Sequence, residues 1–174
     1  RDALGGYGEL CLLLFEVDNL ALLERLYGRA VGSDAMDLVE RCLNDLSGRY
    51  LDGSAVRLIR RCSPTGFCVI FTRGALDRGY ALGDLTVLYE LAARQWLRQE
   101  TLKRIGHAPN LRAGHAMIRY RGGQAPADAL ALAVAEARRY AAVGVDPGEL
   151  NLMRSFRGML DGGRLDAVYQ PIFD

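Results

Sequence analysis

Two acidic residues, Glu16 and Asp18, stand at the end of a short apolar run, LCLLLFEV, at residues 10–17. A continuous apolar run of this length predicts a strand that is covered on both faces. Carboxylates at the end of such a strand, beside the start of a helix, commonly bind a ligand or a metal ion. Helix capping is the alternative, because Asp18 or Asn19 can accept the first unpaired N–H groups of the following helix. The local sequence leaves both interpretations open.

A second candidate site is the stretch RRCSPTGFCVIF, in which two strand patterns meet at the turn Ser63-Pro64-Thr65-Gly66. Proline fixes its φ angle near the value that the second turn position needs, and glycine is favoured at the fourth. We therefore predict a hairpin with a four-residue loop. The turn has no carboxylate, no paired glycines and no lysine. If a reactive site was once presented here, its chemical groups are gone.

Basic residues accumulate just before this turn, at Arg57, Arg60 and Arg61. Guanidinium groups bind phosphate through planar, paired hydrogen bonds, so one interpretation is a phosphate grip. The other is a half-exposed strand whose charged side chains face water. Because the chain of 174 residues has a net charge of only +1, it does not indicate a nucleic-acid surface. Its longest apolar run is too short to span a bilayer, so we expect no membrane contact either.

The four cysteines are Cys11, Cys42, Cys62 and Cys68, and no two of them form a CxxC motif. All lie inside strand or helix patterns, so we predict four buried, reduced thiols in a cytosolic protein. A disulfide between Cys62 and Cys68, or a metal site that these two form with His115, is the alternative. A zinc site requires three or four convergent ligands, and His115 is a lone histidine in a strand pattern.

Hydrophobic periodicity predicts elements in the order βααββαβα. The strands are expected at residues 10–17, 55–62, 67–72 and 111–120, and the helices at 19–26, 31–46, 82–102 and 126–143. Ser33 is the predicted N-cap of the second helix, and the Ser47-Gly48 pair is its predicted end. The third helix is expected to bury one stripe, made of Leu85, Leu88, Ala92 and Trp96. This order predicts an α/β (α+β) fold, a ferredoxin-like, palm-type sheet with helices packed on it.

The pattern changes after Pro147-Gly148. Residues 150–160 predict an amphipathic linker helix, and residues 165–173 predict a strand with Pro171 near its end. Because this strand has no element after it, we expect that a second domain was cut off. The chain begins with Arg1 rather than methionine, which also leads us to expect an excised fragment.

Two stretches resemble known bacterial signalling families. Residues 15–36, FEVDNLALLERLYGRAVGSDAM, are similar to the acidic strand end, short helix and helix start of GGDEF domains, the diguanylate cyclases. The hairpin falls where that family has its Arg-x-Gly-Gly-Asp/Glu-Glu-Phe signature, of which only Phe67 matches. Residues 168–174, VYQPIFD, resemble the opening of EAL phosphodiesterase domains. The resemblance implies a degenerate GGDEF-like domain at 1–147, and a linker helix with the first strand of a truncated EAL domain at 148–174.

The resemblance also places the family's functional positions on this chain. The metal positions fall on Glu16, Val17 and Thr65, and the nucleotide positions fall on Glu24, Ser33, Ser63 and Pro64. Thr65 replaces a metal-binding carboxylate with a neutral hydroxyl, while Pro64 adds a ring and removes a backbone donor. Glu24 stands where an asparagine reads guanine, and an ionised glutamate cannot donate that hydrogen bond. Uncharged residues also occupy three lysine or arginine positions, at Ala21, Ala141 and Val145.

These losses imply a catalytically inactive GGDEF domain with a regulatory or structural role in a cytoplasmic cyclic di-GMP signalling protein of the GGDEF–EAL type. The partners it implies are the chain's own EAL domain and, for a homodimer, a second copy. No cofactor is expected, and magnesium only together with GTP if residual binding survives. The alternatives are a GTP-binding allosteric module for the EAL domain, an active cyclase that relies on Glu16 and Asp18 alone, and an interaction domain unrelated to cyclases.

Overall fold

The computed structural model describes residues 9–51, 58–76, 81–101, 106–119 and 123–143. The strands are β1 (Glu9–Val17), β2 (Leu58–Ser63), β3 (Gly66–Thr72) and β4 (Leu111–Arg119). The helices are α1 (Leu20–Tyr27), α2 (Arg29–Tyr50), α3 (Leu82–Thr101) and α4 (Pro126–Val143), with a single 3-10 turn at Arg73–Leu76. The predicted order βααββαβα and the α+β fold class are therefore confirmed. Among these helices, none combines the length and the apolar character that crossing a membrane requires.

The sheet has the strand order β2-β3-β1-β4, and every neighbouring pair is antiparallel. The central strand β1 pairs with β3 on one side and with β4 on the other. Its residue Glu16 lies opposite Gly66 of β3 and opposite Arg112 of β4. The end of β1 thus lies between the β2–β3 turn and the start of β4, which positions the candidate site.

Successive side chains of β1 point into two separate apolar clusters, as the strand's period of two requires. Cys11, Leu13 and Phe15 belong to the cluster shared with α2 and α3, and each is fully buried. Leu12 and Leu14 are also fully buried, in the cluster that includes the alanines of α4. The prediction of a strand covered on both faces is therefore confirmed. Full burial of a leucine or phenylalanine side chain stabilises a fold by about 1.5–3 kcal/mol.

The helix α4 approaches β4 so closely that only small residues fit between them. Its buried positions are all alanine, at 129, 133, 137 and 141. A Cβ atom on Gly114 of β4 would overlap the carbonyl oxygen of Ala137 and lie 2.7 Å from the amide nitrogen of Ala141. The alanine-rich composition of α4 therefore sets the distance between helix and sheet.

Helix α2 begins and ends outside its predicted bounds. It starts directly after Gly28, whose φ of 91° is favoured only by glycine, so Ser33 lies inside the helix and does not cap it. The helix also continues through Gly48 to Tyr50, because Leu46 and Ser47 are buried against the core. That burial outweighs the cost of about 1 kcal/mol that a glycine imposes on a helix.

The buried stripe of α3 is displaced by one residue from its predicted position for most of its length. The core contains Leu85, Tyr89, Ala93 and Leu97, all of them at most 3% exposed. The predicted Leu88, Ala92 and Trp96 lie at the edge of the buried face of the helix and are half-buried. In α1, the apolar residue Leu26 is 50% exposed. Periodicity located the helices correctly, but it did not decide which of two adjacent apolar residues points into the core.

Several predictions concern residues that the structure does not describe. The helix expected at 150–160, the strand expected at 165–173 and the domain boundary after residue 147 lie outside the described residues. Val145 and Arg57 lie outside them as well. They therefore stay predictions.

The edge strand β4 is covered by two charged residues of α3. Glu90, which is 4% exposed, accepts a hydrogen bond from the Ala113 amide at 2.9 Å and pairs with Arg94 at 2.6 Å. The Arg94 Nε atom donates to the carbonyl oxygen of Leu111 at 2.8 Å. The pair therefore hydrogen-bonds one donor and one acceptor of β4. Among the described residues this strand pairs with β1 alone, so the contacts limit further pairing at its other edge.

We expect Glu90→Ala to lower the free energy of unfolding by about 2 kcal/mol, because it leaves the Ala113 amide without its acceptor in a buried position. Arg94 loses its ion pair but keeps its hydrogen bond to Leu111, and its guanidinium remains partly hydrated. Urea unfolding followed by circular dichroism measures the change. Glu40→Ala, on the exposed face of α2, is the matched control and should change stability by less than about 0.5 kcal/mol. Equal effects of the two substitutions would contradict the edge-covering role.

Candidate functional site

The end of β1 and the β2–β3 turn are joined by backbone hydrogen bonds. The Val17 amide donates to the Thr65 carbonyl oxygen at 2.8 Å, and the Thr65 amide donates to the Ser63 Oγ atom at 3.3 Å. Glu16 lies opposite Gly66 in the ladder. The structure therefore brings together five of the residues that the sequence assigned to the site: Glu16, Val17, Ser63, Pro64 and Thr65.

The turn is tighter than predicted, because Ser63 and Gly66 pair with each other and leave a loop of two residues. A Cβ atom on Gly66 would lie 2.7 Å from the Ser63 Oγ atom and 3.4 Å from the Phe15 carbonyl oxygen, so only glycine fits without rearrangement. Arg61 donates from Nε to the Ser63 carbonyl oxygen at 3.3 Å, and its terminal nitrogen donates to the Pro64 carbonyl oxygen. Two donors of this arginine therefore stabilise the turn.

Glu16 is bound by an arginine that the sequence analysis did not select. The Arg138 Nε atom of α4 donates to the Glu16 Oε1 atom at 2.9 Å. The Glu16 side chain is 23% exposed, so the pair is partly shielded from water. Arg138 stands one helical turn before Ala141, the position where the resemblance had placed a phosphate-binding lysine. Ala141 itself is 2% exposed and faces β4, so that assignment does not point into the site.

Asp18 is also bound by an arginine, Arg112 at the start of β4. The Arg112 Nη1 atom additionally contacts the Ala142 carbonyl oxygen at 3.4 Å, near the end of α4. The two carboxylates that could hold a cation at the end of β1 are therefore each neutralised by a guanidinium group. No local signal identified Arg112 or Arg138, since both are distant in sequence from the acids that they bind.

The capping interpretation of Asp18 and Asn19 is wrong for the side chains. Asn19 occupies the N-cap position of α1 but makes no capping hydrogen bond with its side chain. Its Nδ2 atom donates to the Ala108 carbonyl oxygen at 2.9 Å, and its Oδ1 atom accepts from the Asn110 amide at 2.7 Å. The Tyr27 hydroxyl lies 2.7 Å from His107 Nδ1. These contacts fix the loop before β4 against the site.

The residues at this site do not fit a magnesium ion. Magnesium prefers carboxylate oxygens with well-ordered octahedral geometry, together with substrate phosphates. Glu16 and Asp18 are both engaged by arginines, and Thr65 contributes no charge. Within the described part of the chain, no three His, Cys, Asp or Glu side chains converge as cation ligands.

Two of the predicted nucleotide positions, Glu24 and Ser33, lie near the junction of α1 and α2, and both are exposed. The Glu24 side chain covers Gly32, so a Cβ atom on that glycine would lie 3.0 Å from the Glu24 Oε1 atom. Ser33 follows Gly32 in the first turns of α2. Glu24 thus packs on the glycine that precedes Ser33, so the two positions are neighbours in the structure.

The cysteines are all unbridged, but they are not all buried. Cys11, Cys42 and Cys68 are buried as predicted, while Cys62 is exposed because β2 is an edge strand. His115 lies on β4, at the opposite edge of the sheet, so it cannot form a metal site with Cys62 and Cys68. It stacks on Tyr140 at a ring distance of 4.7 Å. Burial lowers the pKa of His115, in keeping with a neutral, structural imidazole.

The comparisons with known proteins agree on the fold. No protein-family model matches the chain, and no curated protein matches it. A GGDEF domain from Pseudomonas aeruginosa superimposes with a TM-score of 0.54 at 20% identity, over 78% of this chain and 79% of that one. An EAL/GGDEF domain protein from M. capsulatus superimposes with a TM-score of 0.53 at 16% identity, over 82% and 87% of the two chains.

A third similar structure is the diguanylate cyclase SiaD from Pseudomonas aeruginosa in complex with its activator SiaC, with a TM-score of 0.54 at 17% identity. The match covers 79% of this chain and 48% of that one, so the chain spans about half the length of SiaD. Identities at this level establish the fold alone. The chain has the palm-type, ferredoxin-like fold of GGDEF domains, as predicted.

Proposed function

We propose that residues 1–147 form a degenerate GGDEF domain that does not synthesise cyclic di-GMP, and that it regulates an EAL domain fused to it in a bacterial GGDEF–EAL protein. The observation that carries the proposal is the pairing of both site carboxylates, Glu16 with Arg138 and Asp18 with Arg112. The domain has the fold of a GGDEF domain, but the guanidinium groups of Arg112 and Arg138 lie where a metal ion would have to bind.

A metal-bound nucleotide faces two obstacles here. A divalent ion would have to displace two guanidinium groups from the carboxylates. Both groups would also repel the ion, because like charges a few ångströms apart repel each other. The turn offers little to a phosphate in return, because Pro64 has no N–H donor. Removing a charged or hydrogen-bonding group from a catalytic site typically costs about 3–4 kcal/mol of transition-state stabilisation. Several such losses together reduce a rate by many decades.

A regulatory role follows from the contrast between the core and the site. Both apolar clusters are closely packed, so the domain can act as a rigid unit that positions a partner domain. This role requires no catalysis. The partner we propose is an EAL domain, because residues 168–174 resemble its opening strand. A second copy of the chain is the other proposed partner. The three buried, unbridged cysteines support a cytoplasmic location.

A GTP-binding allosteric module is the second candidate function. It is favoured by the two site arginines, whose side chains remain 44% exposed at Arg112 and 51% exposed at Arg138. A guanidinium group binds phosphate through two parallel hydrogen bonds. Magnesium would enter this site only with GTP.

The test is to incubate the chain with millimolar GTP and magnesium and to separate the products by chromatography, with an active diguanylate cyclase as the positive control. We expect no cyclic di-GMP. A calorimetric titration with GTP then distinguishes the two candidates, since heat without turnover supports the allosteric module and no heat supports a scaffold. Product that depends on Glu16 would overturn the proposal.

A further inference from the structure

Two cysteines lie on the two strands of the β2–β3 hairpin, near its turn. Cys68 lies opposite Arg60, and the register shifts between Arg61 and Ser63, where Cys62 is the additional residue. Each thiol has the largest effect on the pKa of the other, which requires the two sulfur atoms to be close together. Cys62 is exposed, whereas Cys68 is 5% exposed and packs in the cluster beneath α4. One thiol of the pair is therefore open to solvent and the other lies beneath it.

The environment of Cys62 favours its thiolate. The hydrogen bond from Cys68 lowers the pKa of Cys62 to about 7, against the opposing effect of partial burial. The positive charge of Arg138 acts in the same direction, and the negative charge of Glu16 opposes it. By contrast, burial raises the pKa of Cys42 to about 12. Because the thiolate is the reactive form, an exposed cysteine with a low pKa is the type that oxidants attack.

We propose that Cys62 is a site of reversible oxidation by peroxides and that Cys68 is its resolving partner. In the first step the Cys62 sulfur attacks one oxygen of hydrogen peroxide, the O–O bond breaks, and a sulfenic acid and hydroxide form. In the second step the Cys68 sulfur attacks the Cys62 sulfur, the S–O bond breaks, and the oxygen leaves as water. Overall, two thiols and one peroxide yield one disulfide and two waters.

Cys68 becomes able to resolve the sulfenic acid only after Cys62 has reacted. Its pKa is raised first by its hydrogen bond to Cys62, then by burial and by the negative charge of Cys62. Oxidation converts Cys62 to a neutral group, which removes the negative charge that disfavours the Cys68 thiolate. The order of the two steps is thus built into the hairpin, with Cys62 reacting first.

The test uses the full chain treated with hydrogen peroxide at pH 7, followed by blocking of free thiols, tryptic digestion and mass spectrometry. Both cysteines fall in one tryptic peptide, residues 62–73, so the disulfide appears as the loss of two hydrogens from that peptide. We expect this form to accumulate and to revert with dithiothreitol. Cys68→Ala should instead trap the sulfenic acid on Cys62, detected with dimedone. Cys62→Ser should leave Cys68 unmodified.

Labelling rates provide an independent measure. We expect iodoacetamide to modify Cys62 at least about a hundredfold faster than Cys42 at pH 7, with a midpoint near its lowered pKa. Cys68→Ala should raise that midpoint, because it removes the hydrogen-bond donor. Peroxide that leaves both thiols free, or a labelling midpoint that does not respond to Cys68→Ala, would overturn the proposal.

Discussion

A triple variant with Thr65→Glu, Arg112→Ala and Arg138→Ala is expected to bind Mn²⁺ about a hundredfold more tightly than the natural chain. The change frees the carboxylates of Glu16 and Asp18 and adds a third beside them, since Thr65 is hydrogen-bonded to the end of β1. It removes two positive charges and adds one negative charge close to a divalent ion. Even in a water-like dielectric, each such change contributes about 1 kcal/mol.

Calorimetric titration with Mn²⁺ measures the effect. The matched control is Arg98→Ala with Arg139→Ala, which removes two exposed arginines of α3 and α4 that have no described contact with the site. It should leave Mn²⁺ binding unchanged within about threefold, because charges that are exposed to water interact only weakly with the ion. Adding Glu16→Gln to the triple variant should abolish the gain. If the natural chain already bound Mn²⁺ as tightly as the triple variant, the ion pairs would not be what excludes the metal.

Gly114→Val is expected to lower the free energy of unfolding by about 3 kcal/mol, which is about a hundredfold in the folding equilibrium. The added side chain would collide with the backbone of α4 at Ala137 and Ala141, and backbone atoms cannot move aside as a flexible side chain can. The helix would have to shift away from β4. Because α4 carries Arg138, this shift should also weaken the ion pair with Glu16.

Urea unfolding measures this loss, and a glycine elsewhere supplies the control. Gly48 lies exposed within α2, and a Cβ atom there would meet nothing within 4 Å. Gly48→Ala should therefore stabilise the protein by about 0.4–1 kcal/mol, because alanine restricts the unfolded chain. A Gly114→Val variant as stable as the natural protein would contradict the close approach of α4 and β4.

The two ion pairs connect the end of β1 to other elements of the domain. Carboxylates left unpaired at the partly buried end of β1 would repel each other. Arg112 and Arg138 remove that repulsion and, through the Arg112 contact with Ala142, also tie β4 to the end of α4. The groups that would exclude a metal ion therefore also connect three elements of the domain.

The sequence by itself determined the elements and their order. Apolar residues recur with a period of two or 3.6 where one face of an element is buried and form a continuous run where both faces of a strand are buried, and this signal is local. It located β1, the hairpin and the four helices that the structure describes, and it identified the residues at the end of β1. Helix ends were less accurate, since the burial of Leu46 and Ser47 carries α2 past the glycine at which the local pattern predicted an end.

Only the tertiary structure decided what the site residues contact. Glu16 and Arg138 are 122 residues apart in the chain, and Asn19 lies 89 residues from the carbonyl group that it binds. No local pattern connects such residues. They meet because the sheet order places β4 beside β1, and because the small residues along α4 let that helix pack directly on β4. The identity of the two acids was written in the sequence, but their neutralisation depends on how the elements pack.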